Sequence, residues 1–126
     1  MKGKIFLIQH DVFDSQTLVA VGVSDRRLKK WIRKNTTSVK FDDDMKLHGA
    51  ARTVQNGRFS MIRLRGLDGS NYDISILAHE AFHLAEFLFN RIGVSHDVEI
   101  SGEVFAYHIQ STIKQVLDVL NNEETK

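Results

Sequence analysis

The chain has no cysteine, so it carries neither a disulfide nor a thiolate zinc site. Any metal it binds has to be held by histidine and carboxylate. It also lacks a long hydrophobic run at its start. Met1-Lys-Gly-Lys-Ile-Phe-Leu-Ile-Gln-His10 places a basic opening before only four apolar residues, short of a signal-peptide core and far short of a membrane span. A cytoplasmic protein with no membrane partner is the expectation. Charge of one sign is missing too: 17 Lys and Arg stand against 16 Asp and Glu, a net charge of +1. No global field draws in a polyanion, and a nucleic-acid partner has to be argued from a local patch. There is no internal repeat, linker or low-complexity stretch. With 126 residues, 42% of them hydrophobic and 26% charged, the expectation is one ordinary globular domain with a real core.

What is present centres on His79-Glu80-Ala81-Phe82-His83, an H-E-x-x-H sequence. On a helix, residues four apart share a face, so His79 and His83 can aim at one cation while Glu80 reaches a water beside it. The motif sits among Ile74, Ile76, Leu77, Ala78, Ala81, Phe82, Leu84, Ala85, Phe87, Leu88, Phe89 and Ile92. A helix apolar nearly all round is expected to be buried. Two histidines and a glutamate buried there would each cost about 1–3 kcal/mol unless satisfied, and one divalent metal satisfies all three. The competing reading is a pair of core histidines bonded to backbone or carboxylate.

Along the chain, Ile5–Ile8 and Leu18–Val23 read as strands around the polar Asp14–Thr17 loop. Ser24 or Asp25 caps a helix over Arg26–Lys34, with Leu28, Trp31 and Ile32 on one face. Its other face carries Arg26, Arg27, Lys29, Lys30, Arg33 and Lys34, which reads first as a solvated surface and second as a contact for nucleic acid or an acidic partner. Asn35–Gly49 reads as a loop, with room for a short strand at Ser38–Phe41. Asn56-Gly57 marks a hairpin between Ala51–Gln55 and Arg58–Leu64, the latter an edge strand by its charge and imperfect alternation. Ser70, Asn71 or Asp73 opens the motif helix and Gly93 closes it. A last helix covers Gly102–Leu120, buried along Phe105, Ile109, Thr112, Ile113, Val116, Leu117 and Leu120, with a frayed tail from Asn121.

A catalytic zinc needs three protein ligands. The metzincin continuation is absent, because Glu86 stands where it requires Gly and Phe89 where it requires His. The chain resembles the gluzincins, in which a glutamate of the following helix is the third ligand. Glu103 lies twenty positions beyond His83 at the start of such a helix. The run Ala78–Phe89 is also similar to small zincin-like proteins of bacteriophages and mobile elements.

The resemblance implies an α+β fold, a minimal zincin with a small antiparallel or mixed sheet packed on the motif helix and a C-terminal helix. It implies Zn²⁺ on His79, His83 and Glu103, with Glu80 as general base in hydrolysis of a peptide bond and an extended substrate along the strand Arg58–Leu64. Tyr107 occupies the place of the family's orienting aspartate, where a phenol can bond an oxyanion or Glu103 itself. Glu99, His96 and Asp97 stay open as alternative ligands, while His10, His48 and His108 read as ordinary surface or half-buried histidines. The alternative function is a zincin-like binding domain for a protein or nucleic acid, with a structural metal or none, working through the basic helix.

Overall fold

The computed structural model describes residues 3–10, 15–37, 39–67, 70–92 and 102–124. In chain order these form β1 (Lys4–His10), β2 (Ser15–Val21), α1 (Asp25–Asn35), a 3₁₀ turn (Asp43–Met45), β3 (Ala51–Asn56), β4 (Phe59–Leu64), α2 (Asn71–Ile92) and α3 (Gly102–Glu124). The fold is α+β, as expected. No helix among the described residues is long and apolar enough to cross a membrane.

The sheet is mixed, in the order β1-β2-β4-β3. β1 pairs antiparallel with β2, β2 parallel with β4, and β3 antiparallel with β4. Alternation then divides the core between the two faces. Val19, Val21, Ile62 and Leu64 join Leu77, Leu84, Leu88, Phe89, Phe105 and Val116 of α2 and α3. Leu18, Ala20, Met61 and Val54 join Leu28 and Ile32 of α1 and Met45 of the 3₁₀ turn. Helices therefore cover both faces, α1 on one and α2 with α3 on the other.

That arrangement corrects the expected edge. Arg58–Leu64 is not an edge strand, because β4 lies between β2 and β3, and the edges are β1 and β3. Its imperfect alternation is the signature of a strand buried on both sides. Its charge is absorbed internally: Arg63 is 2% exposed, donates to the carbonyls of Val23 at 2.7 Å and Met45 at 2.9 Å, and pairs with Asp25.

Local signals explain most element ends. Ser24 caps α1, its hydroxyl accepting from the Arg27 amide at 3.1 Å. Ser70 caps α2 in the same way, accepting from the Asp73 amide at 3.2 Å. The hairpin loop begins at Gly57 with φ +61, and no other residue of that loop has a positive φ, which among the favoured hairpin turns suits type II′. Other boundaries differ from expectation. Ser15–Thr17 belong to β2, Asn121–Glu124 continue α3, and residues 39–41 form no strand. Ser38 and Gly93 lie outside the described residues.

α3 closes the sheet at β1. Gln115 reads the open edge of that strand like a neighbouring strand would, accepting from the Gln9 amide at 3.0 Å and donating to the Gln9 carbonyl at 2.6 Å. Beside it, His10 and His108 are core residues rather than surface ones, at 5% and 2% exposure. Their rings stack with centroids 4.6 Å apart, and His10 Nε2 lies 2.5 Å from Thr17 Oγ1, which in turn bonds Ser60 Oγ at 2.8 Å. Neither could be recognised from spacing, since one stands on a strand and the other on a helix.

Burial, then the charges of His108 and Arg91, hold His10 down at about 4, and burial alone holds His108 at about 4, against an ordinary 6.5. The unfolded chain therefore binds protons on both rings in a range where the folded chain does not. Stability should fall as pH drops from 6.5 to about 4, with the upper part of that window lying above ordinary carboxylate titration. Urea midpoints across that window test this: the loss should shrink in His108→Leu, and a flat profile in the parent protein would contradict it.

Candidate metal centre

α2 is less buried than its composition suggests. Its core line is Leu77, Ala81, Leu84, Ala85, Leu88 and Phe89, whereas Tyr72, Ile74 and Phe82 are exposed. The motif residues divide between the two sides. His79 and His83 side chains are 68% and 41% exposed, while Glu80 is only 10% exposed against the sheet. The cost of burying polar groups thus falls on Glu80 and not, as expected, on all three.

The two imidazoles converge. Their Nε2 atoms stand 3.0 Å apart, with ring centroids separated by 4.6 Å and planes at 76°. Two nitrogens on one tetrahedral zinc at about 2.0–2.1 Å would be about 3.3 Å apart, so this pair fits a shared metal with only a small rotation. Glu80 Oε2 lies 3.9 Å from His79 Nε2, close to the same point without occupying it.

Two partners that sequence reasoning missed orient these groups. Thr53, on the edge strand β3, donates its hydroxyl to Glu80 Oε1 at 2.8 Å and so leaves Oε2 toward the histidines. Nothing in the sequence joins the two, because they belong to different elements. Glu86 places Oε1 3.4 Å from His83 Nδ1. A carboxylate there favours the proton on Nδ1 and leaves the Nε2 lone pair for a metal. Its position three residues after His83, on the same helical face, was a legible signal. Phe82 and Phe87 flank the His83 ring at centroid distances of 6.2 Å and 6.4 Å.

Beside this cluster a cleft of about 370 Å³ opens between β3 and α2, lined by Ala50, Ala51, Ser75, Ile76, His79 and Glu80. Its sheet wall is β3, not the Arg58–Leu64 strand, which is an inner strand.

The structure does not bring every expected residue to this point. Among the described residues no third His, Asp or Glu joins the pair closely enough to form a three-ligand group. Glu103 is exposed in the first turn of α3, and Tyr107, one turn on, is 61% exposed. The start of α3 is nonetheless fixed close to the motif, since the Phe105 ring packs on Phe82 at 5.6 Å and on Phe89 at 5.0 Å. Glu99, His96 and Asp97 lie outside the described residues. His48 is exposed and not part of the cluster, and His10 and His108 belong to the core.

Comparison of the chain with protein-family models, curated proteins and solved structures gives no match. The site's own geometry therefore carries the functional argument.

If Glu86 sets the His83 tautomer, Glu86→Gln should weaken zinc by roughly tenfold to a hundredfold, the usual effect of losing a partner behind a ligand. Competition with a chromogenic chelator measures this. Unchanged affinity would remove Glu86 from the site.

Proposed function

We propose that the chain is a zinc-dependent peptidase of gluzincin type, acting in the cytoplasm on a peptide or protein. The observation that carries this reading is the convergence of two histidine Nε2 atoms at 3.0 Å with a glutamate held beside them by the sheet. His79 and His83 would hold the metal, and Glu103 is proposed as the third ligand. The support for Glu103 is its place at the head of a helix anchored next to His83, together with the gluzincin spacing.

Zinc, when bound, supplies the Lewis acidity that acidifies a water and polarises a scissile carbonyl. The remaining steps fall to the chain. Glu80 takes the water's proton on Oε2, with Thr53 fixing the other carboxylate oxygen, and later delivers that proton to the departing amine. Among the described residues β3 pairs with a strand on one side only, and its outer edge suits an extended peptide lying along the cleft. Tyr107 is proposed to donate its phenol to the developing oxyanion.

A second reading has its own support. α1 presents several cations with no acidic partner among the described residues, which favours a binding domain in which the metal is structural.

Glu80→Gln separates the two readings. It should keep zinc and lose hydrolysis of a peptide mixture, with metal content and turnover read on one sample. If the parent protein holds zinc and cleaves nothing, the binding-domain reading stands. Departure of the metal from the variant would make Glu80 a ligand instead of a base.

Glu103→Ala tests the third ligand. Zinc affinity should drop by about a hundredfold or more, given that even partners behind a ligand cost ten- to a hundredfold. Glu99→Ala should leave it nearly unchanged. The reverse pattern would transfer the role to Glu99.

A further inference from the structure

On the face of the sheet opposite the metal centre, the C-terminal half of α1 and the chain that follows it enclose a second groove. It measures about 360 Å³, and its lining includes Ile32, Val39 and Phe41 together with the cations Lys29, Arg33 and Lys40. Ile32 belongs to the core cluster beneath α1, and the half-buried Val39 and Phe41 pack against it, so the floor is apolar and fixed from below. Thr36 ties the two walls together, its hydroxyl bonded to the Ile32 carbonyl at 2.8 Å and within 3.3 Å of the Val39 carbonyl. The rim is cationic.

These cations are not consumed by the fold. The one acid of α1, Asp25, is taken by the buried Arg63. Arg27 is drawn to the Gly3 carbonyl at 2.9 Å. Lys29, Lys30, Arg33, Lys34 and Lys40 make no ion pair among the described residues, while Lys46, Arg52 and Lys114 do. Three of them, Lys29, Arg33 and Lys40, line the groove, and among the described residues no acid is paired with any of the three.

We infer that this groove is a docking site for an acidic peptide segment that carries an apolar anchor residue, contributed by a partner protein. Charge complementarity selects Asp and Glu on the flanks, where Lys29, Arg33 and Lys40 stand. Exposed ion pairs contribute little singly and are screened by salt, so discrimination has to come from the anchor filling the apolar floor. Nucleic acid fits less well. Single strands bind on exposed aromatic platforms, whereas Phe41 and Trp31 are half-buried and the floor is otherwise aliphatic. The inference is independent of the peptidase reading, because the groove and the metal centre share no residue.

The test is selection of displayed random short peptides on the immobilised full-length chain, followed by anisotropy with labelled copies of the enriched sequences and with a mixed-sequence single-stranded DNA. The expected result is enrichment of Leu, Ile or Phe flanked by Asp and Glu, with binding lowered about tenfold or more by Arg33→Glu with Lys40→Glu. Val39→Ser should weaken the same peptides while leaving the charge of the rim unchanged. Circular dichroism and the thermal unfolding midpoint of each variant confirm an intact fold. Three results would overturn the inference: no enrichment, enriched peptides insensitive to these substitutions, or DNA bound more tightly than any peptide through the same cations.

Discussion

A single guanidinium fixes the layer on which the rest of the fold depends. Arg63 stands on an inner strand at 2% exposure, and its donors go to the Val23 carbonyl beyond β2, the Met45 carbonyl in the 3₁₀ turn and the Asp25 carboxylate at the head of α1. The hydrogen bond from Arg63, reinforced by its charge, holds the Asp25 carboxyl below the usual range. Because Asp25 is half-exposed, water screens this pair, and it contributes less than a fully buried ion pair would. The consequence reaches the far face. The strand that carries Arg63 pairs with β2 on one side and β3 on the other, which leaves β3 on the edge beside α2. Thr53 can then meet Glu80.

The same residue explains what was legible in the sequence and what was not. The motif helix, the basic helix, the hairpin at Gly57 and the caps Ser24 and Ser70 are local, written in spacing of a few residues, and the structure contains each. The order of strands is not local. Three arginines around Arg58–Leu64 suggested an edge, because charge on a strand is ordinarily solvated. Only the distant Asp25 and two carbonyls make Arg63 tolerable inside, and no periodicity reports them. His10 and His108 were misjudged for a related reason: a neutral imidazole is an acceptable core group, and its burial depends on Thr17, Ser60 and a helix almost a hundred residues away.

At the site itself, legibility stopped at the boundary of α2. His79, Glu80 and His83 converge as their spacing requires. Their exposure did not follow from composition, since an apolar residue on a helix can face the cleft as readily as the core, as Phe82 does. Thr53 was invisible for want of any pattern across elements. Glu103 and Tyr107 follow from family spacing alone, and both are exposed on α3, off the Phe105 and His108 line that faces the core.

The split in exposure has a chemical meaning. The histidine pair faces solvent, so a metal could reach it without any opening of the fold, while Glu80, the proposed general base, is backed by the sheet and restrained on one oxygen. An open site has a disadvantage, because water weakens every electrostatic interaction that would stabilise a transition state. The protein provides a floor in α2 and one wall in β3, but the cleft between them is shallow and open. An extended chain pairing along β3 would exclude water from the side on which Glu80 works. On the proposed peptidase reading the substrate would complete the site, and the binding energy of residues remote from the scissile bond would be used to close it.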